Sequence, residues 1–179
     1  MVSDQAAEIG DPQFTLGVVI PVPEPQRSVL RAWRRKFGGA DSEPIAPHIT
    51  LVSGGYLSSW EQAAERVRDV AQESSGFTVE LGAARSFRPA SQVVYLPLAA
   101  GGEQCWSLHR ALLADQLCHD SKFEYHPHLT IAQNVPEADL DAAQEQLNDV
   151  ALGFAVDCLQ LFDTRDGAWN LCEEISLRG

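Results

Sequence analysis

Two stretches, IAPHITLVSG (45–54) and EYHPHLTIAQN (124–134), carry proline, histidine, an aliphatic residue and threonine in the same order. The first copy is Pro47-His48-Ile49-Thr50, and the second, 80 residues later, is Pro127-His128-Leu129-Thr130. Side chains alternate across a strand. In the first copy Ile45, Pro47, Ile49 and Leu51 therefore face one way, and Ala46, His48, Thr50 and Val52 the other. In the second, Tyr125, Pro127, Leu129 and Ile131 oppose His126, His128, Thr130 and Ala132. The aliphatic faces must pack against helices, so both His-x-Thr pairs project from the opposite face. A one-residue slip would bury them and expose the aliphatics, which specifies the register. A lone His-x-Thr carries little information. Two copies, each preceded by proline at equivalent points of a repeated unit, point to function.

The repeated unit is visible on both sides of each motif. Residues 14–20 read as a buried strand, and 24–37 as a helix with Leu30, Trp33 and Phe37 inward, stopped by Gly38-Gly39. After the motif strand (45–53), Ser58-x-x-Glu61 is a capping-box signal for a helix with Trp60, Ala64, Val67 and Ala71 on one face. Residues 77–84 alternate as a strand. The second half repeats this order. A strand spans 93–98, a helix 103–118 turns Cys105, Leu108, Leu112 and Leu117 inward, and the second motif strand spans 125–133. A helix opened by Pro136 presents Leu140, Ala143, Leu147 and Val150, and strands follow at 154–162 and, after the turn DTRDG, at 169–177. AAERVRDVA (63–71) is echoed by AAQEQLNDVA (142–151), and GFTVELGAARSF (76–87) by GFAVDCLQLF (153–162). This alternation implies α/β or α+β layers in one domain of two lobes, about 14–84 and 93–177. RSFRPASQ (85–92) is the expected crossing between them, and 1–13 a flexible, cytoplasmic-type leader.

Composition narrows the partners. A formal net charge of −12 disfavours tight binding to long duplex nucleic acid, which draws on counterion release by basic side chains. A small substrate or a single RNA end is favoured. No apolar run approaches the roughly 20 residues that cross a bilayer. Cys105, Cys118, Cys158 and Cys172 lack Cys-x-x-Cys spacing and are expected as buried, reduced thiols of a cytoplasmic protein.

Two lobes brought together would set His48 and His128 across one groove. Two imidazoles with ordinary pKa near ~6.5 suit general acid–base catalysis, one taking a proton from water and the other giving one to a leaving oxygen. Thr50 and Thr130 can donate to a phosphate between them. This set needs neither metal nor cofactor, and its pH–rate profile should be a bell centred within about a unit of neutrality. His126, on the His128 face, contacts phosphate, tunes His128 or sits solvated at the groove edge. With His48 and His128 it also frames a metal-hydrolase alternative. Tyr95 stacks on a base or packs in its strand. Arg88 and Arg85 hold a phosphate or are solvated. The basic run Arg27, Arg31, Arg34, Arg35, Lys36 complements a helix end or guides an RNA end. His109 and His119 need only surface or capping roles. A binding module without turnover is the remaining class; it would not need two titrating groups.

On Pro47-His48-Ile49-Thr50, Pro127-His128-Leu129-Thr130 and the repeated units around them, the chain resembles the 2H phosphoesterase superfamily, in its 2′-5′ RNA ligase-like and cyclic phosphodiesterase branches. The resemblance covers about 14–177. It implies a bilobal duplicated α+β fold, with antiparallel-rich sheets, outer helices and a central cleft. It also implies action on 2′,3′-cyclic phosphate at RNA 3′ ends or on nucleotides, with joining or cleavage of 2′-5′ linkages as a related activity. By that likeness His48 and His128 are catalytic, and Thr50 and Thr130 bind phosphate. Separately, a monomer is expected.

Overall fold

The computed structural model describes residues 14–39, 42, 44–56, 59–113, 123–179 and the backbone of 117–118. The first half of the chain forms β1 (Phe14–Pro21), α1 (Gln26–Gly38), β2 (His48–Tyr56), α2 (Trp60–Glu73), β3 (Phe77–Leu81) and β4 (Arg85–Ser86). The second forms β5 (Val93–Ala100), α3 (Gly102–Leu112), β6 (Leu117–Cys118), β7 (His128–Gln133), α4 (Glu137–Gln146), β8 (Leu152–Val156), β9 (Cys158–Asp163) and β10 (Asn170–Ser176). The strands make two antiparallel sheets. One runs β10-β9-β1-β2-β6; in the other β5 pairs with β7 on one side and with β4 and β3 on the other, and β3 pairs with β8. This is the α+β class expected from the sequence.

The duplication extends to the ladder register. Pro21 lies opposite His48 and Val19 opposite Thr50; Pro97 lies opposite His128 and Tyr95 opposite Thr130. Each ladder then skips one residue, so that Val18 meets Val52 and Val94 meets Ala132. Leu51 and Ile131 are the bulged residues. A bulge reverses alternation beyond it, which corrects the expected faces: Val52 and Ala132 are core residues, each 1% exposed. The exposed Ser53 and Gln133 take the faces that the histidines and threonines share.

Sheets and helices exchange between the repeats. Helix α1 follows β1 but packs on β7 of the other sheet, and α3 follows β5 but packs on β2. The expected strand 154–162 breaks at Asp157: β8 pairs with β3 in one sheet and β9 with β1 in the other. Each sheet thus takes strands from both halves of the sequence. Segment 85–92 is no simple crossing, because β4 is built into the second sheet against β5. The helix expected to reach 118 ends at Leu112, and residues 117–118 pair with β2. Helix α2 is capped by Ser59, whose hydroxyl accepts from the Gln62 amide at 3.3 Å, rather than by Ser58, which lies outside the described residues. Gly101 caps α3 at φ 87°, and a β-carbon there would lie 2.8 Å from the Thr78 carbonyl oxygen, so glycine is required twice over.

One apolar cluster joins both sheets and all four helices, drawing Ile20, Leu30, Ile49, Val67, Leu96, Leu108, Leu129, Leu140 and Leu161 into contact. Among the described residues no helix is long and apolar enough to cross a membrane. Of the cysteines, Cys105 is buried as expected, but Cys158 is half-buried and Cys172 exposed; the side chain of Cys118 lies outside the described residues. Gly17, on the central strand β1, lies under the ring of Trp169, and a β-carbon there would come within 2.2 Å of that ring. Gly17→Ala is therefore expected to push Trp169 outward and cost about 1–3 kcal/mol, as overpacking does. Denaturant unfolding followed by tryptophan fluorescence tests this; an unchanged midpoint and spectrum would refute it.

Candidate active site

Strands β2 and β7, from different sheets, lie against each other and bring the two motifs to one cleft. Two cavities meet there. One, of about 460 Å³, is lined by His128, His126, Phe87, Phe123 and Tyr125. The other, of about 480 Å³, is lined by His48, Trp169, Arg34, Ser42 and Asn134. Thr50, Thr130, Ser53 and Gln133 border both, so the threonine pair stands where the two arms of the cleft join.

Both imidazoles are fixed in the same way. His48 Nδ1 lies 2.7 Å from the carbonyl oxygen of Ala46, and His128 Nδ1 lies 2.6 Å from that of His126. A carbonyl only accepts, so Nδ1 carries the proton in each ring, and Nε2 is the basic nitrogen of the neutral form. Burial lowers the His48 pKa to about 4, aided by the charges of Arg34 and His128 and opposed by the Ala46 hydrogen bond. Burial also lowers that of His128, aided by His126 and opposed by the bond to the His126 carbonyl.

The remaining expected residues divide. His126 is exposed and lines the aromatic arm. Its ring centroid is 6.3 Å from that of His128. Among the described residues no three His, Cys, Asp or Glu side chains are gathered as metal ligands, so the geometry lends no support to a His48–His126–His128 metal site. Tyr95 is buried beneath Phe87, their rings stacked at 3.9 Å, and meets His128 edge-on at 5.4 Å. It is Phe87 that lines the cavity, because β4 lays it over the Tyr95 ring. Arg88 is turned away to α4, with Nη1 2.8 Å from Asp141 Oδ1 and 3.7 Å from Glu137 Oε1, and it lines neither cavity. Arg85 is exposed on β4 and lines neither cavity.

Among the contributors that escaped sequence reasoning are Arg34, Trp169 and His109. Arg34 is buried, 9% exposed, and lines the His48 arm. Its position four residues after Leu30 and three before Phe37 places it on the inward face of α1, a signal that its membership of a basic run obscured. Trp169 reaches the His48 ring at 5.9 Å from across the sheet, and nothing local to its sequence marks it. His109 is buried rather than superficial. Its Nδ1–H donates to the carbonyl of the bulged Leu51 at 2.6 Å, and its ring stacks on Tyr125 at 3.9 Å. The Tyr125 hydroxyl in turn donates to the Thr50 carbonyl at 3.0 Å. The bulge beside Thr50 is thus pinned from α3 and from the approach to the second motif. His119 lies outside the described residues.

A family model described as the 2′-5′ RNA ligase superfamily matches residues 21–168, a span holding both motifs and most of both sheets. The chain belongs to the 2′-5′ RNA ligase superfamily. It is 26% identical, over 91% of its own length and 96% of the relative's, to a Geobacillus kaustophilus protein named "putative phosphoesterase". Its fold matches that of Escherichia coli LigT, solved with 3′-AMP, at a TM-score of 0.67 and 22% identity, over 94% of this chain and 100% of that one. It matches TT0787 of Thermus thermophilus at 0.67 and 18% identity, over 92% and 98%. Membership of the superfamily makes the chain a 2H-type phosphoesterase.

Proposed function

We propose that the chain is a metal-independent phosphodiesterase that opens 2′,3′-cyclic phosphates of nucleotides or RNA 3′ ends by two-histidine acid–base catalysis. The observation that carries this reading is the pair of imidazoles, each held by the same Nδ1–H···O=C bond, on either side of the Thr50–Thr130 pair. His48, the more strongly depressed base, takes a proton from water through Nε2. The water oxygen forms a bond to phosphorus, the bond from phosphorus to one ribose oxygen breaks, and His128 protonates that oxygen. Thr50 and Thr130 donate to the non-bridging phosphate oxygens, whose charge grows in the transition state. The aromatic arm beside His128 suits the nucleoside, since Phe87 offers a stacking face. That LigT was solved with 3′-AMP agrees with a nucleotide ligand. The same displacement run with an alcohol in place of water would join rather than hydrolyse. Pinning of the Leu51 bulge by His109 keeps Thr50 at its place.

The test is turnover of adenosine 2′,3′-cyclic phosphate and of an oligoribonucleotide with a 2′,3′-cyclic end, with and without a strong chelator. Formation of one monophosphate isomer at an unchanged rate under chelation is the expected result. Loss of activity on chelation, restored by zinc, would overturn the metal-independent mechanism. Binding of the cyclic nucleotide with no turnover would return the chain to the class of binding modules.

A further inference from the structure

Segment 87–93 forms one wall of the aromatic arm, which Phe87, Ala90, Ser91 and Val93 all line. The Phe87 ring lies over Tyr95 and meets His128 edge-on at 5.0 Å and His126 at 5.6 Å. The place of this one ring therefore shapes both the arm and the surroundings of a motif histidine. Within the segment the Phe87 amide donates to the Val93 carbonyl at 3.0 Å, and the Ser91 amide to that of Phe87 at 3.2 Å. The far end is tied to the fold by the Asn134 amide, which donates to the Gln92 carbonyl at 3.3 Å. The near end, which bears Phe87, lies just past β4 and is tied by Arg88.

Each nitrogen of the Arg88 guanidinium has an acceptor. Nε donates to the Ser86 hydroxyl at 3.0 Å, Nη1 to Asp141 Oδ1 at 2.8 Å and Nη2 to Gln144 Oε1 at 3.3 Å. The Ser86 hydroxyl also accepts from the Arg88 amide at 3.1 Å and donates to the Val93 carbonyl at 3.1 Å, which fills its hydrogen-bonding capacity. Asp141 and Gln144 share one face of α4, as residues three apart on a helix do. Helix α4 packs on β7, the strand that carries His128. One helix thus backs the motif strand and anchors, through Arg88, the segment that lays Phe87 against His128. The rigid fork of an arginine suits this task, since it holds several acceptors at fixed angles.

We propose that Arg88 is a positioning residue of the site: by fastening Ser86 and Phe87 to α4 it holds the Phe87 ring where a nucleobase stacks. It touches no substrate, since it lines neither cavity. The inference rests on the reading above that puts the nucleoside in the aromatic arm. The Asp141 side chain is 65% exposed, so its pair with Arg88 adds little to the stability of the fold. Its effect is on distance. Packing attraction falls steeply with separation, and a ring withdrawn by ~0.5–1 Å forfeits about a quarter to a half of it. A weak tie at the rim is therefore enough to set the affinity of the arm for a base.

The experiment measures, by calorimetry, the affinity for adenosine 3′-monophosphate and for methyl riboside 3-phosphate, in which a methoxy group replaces the base. Wild type, Arg88→Ala, Phe87→Ala, the double variant and Asp141→Asn are compared. Phe87→Ala should weaken adenosine 3′-monophosphate by roughly tenfold, within the usual worth of a base–aromatic stack. Arg88→Ala should weaken it by roughly threefold to fivefold, the upper range of a partly exposed ion pair, and leave the base-less ligand unchanged. The double variant should match Phe87→Ala, because with the ring gone Arg88 has nothing left to hold. Asp141→Asn, on the exposed side of α4, should show the same split at smaller size, and it decides if Arg88→Ala fails to fold. A wild type that binds both ligands alike, equal weakening of both in Arg88→Ala, or no weakening at all would overturn the role. So would a double variant weaker than Phe87→Ala by the full Arg88 factor. Hydrolysis of adenosine 2′,3′-cyclic phosphate by wild type is followed beside these titrations. Its absence would remove the cyclic-phosphate reading, whereas the base-dependent affinities alone decide Arg88.

Discussion

His48→Ala and His128→Ala are each expected to lower kcat for a 2′,3′-cyclic nucleotide by roughly 10²–10⁴-fold, the usual range for a general acid or base. Neither change should unfold the chain. Both rings are half-buried in the open cleft, and each donates Nδ1–H to a carbonyl two residues back. Such a bond is worth about 1 kcal/mol net. The double variant should be little worse than either single one, because one proton must leave as another arrives and the two groups act as a unit. Thr50→Val and Thr130→Val remove one donor each while keeping the shape, and their effects should be smaller. Steady-state kinetics beside circular dichroism separates lost chemistry from lost fold. A double histidine variant that retained wild-type turnover would end the assignment.

The reach and the limits of sequence reasoning have physical causes here. The pairing of His with Thr on one strand face is a local matter of alternation, and both pairs lie where that rule puts them. The rule fails two residues later, where Leu51-Val52 and Ile131-Ala132 set two apolar residues in succession. That doublet was the signal of a bulge, and reading it would have put Ser53 and Gln133 in the cleft. Strand 154–162 was one apolar run by composition. Which sheet each half joins depends on β1 and β3, more than 70 residues away, and a run carries no such information. The place of Arg34 in a basic run hides its helical position, which puts it on the inward face of α1. Arg88 looked available in sequence because Asp141 and Glu137, its partners, are on another element. Phe87 and Trp169 became site residues only through folding, Phe87 over Tyr95 and Trp169 over Gly17.

The pH dependence should lie further to the acid side than two histidines of ordinary pKa imply. kcat/KM reports the free enzyme, in which burial holds His48 at about 4 and His128 below its usual 6.5. The mechanism needs His48 neutral and His128 protonated. Activity should therefore rise as pH climbs past about 4, when His48 gives up its proton. It should fall as pH passes the His128 value, still below 6.5, when the acid is lost. Each limb should approach tenfold per unit, and the centre of the kcat/KM bell should lie below 6.5 rather than at neutrality. A bound phosphate anion favours the protonated rings, so the kcat bell should lie to higher pH than the kcat/KM bell. Because the two sites interact, the limbs belong to the pair, and the shape alone does not say which ring is the base. Arg34 tells which limb is His48's: its charge lowers the His48 pKa and is not among the causes acting on His128. Arg34→Gln should move the acid limb upward and leave the alkaline limb where it is. Movement of the alkaline limb instead would make His128 the more strongly depressed ring, and a kcat/KM bell centred at or above pH 7 would contradict the burial that depresses both rings.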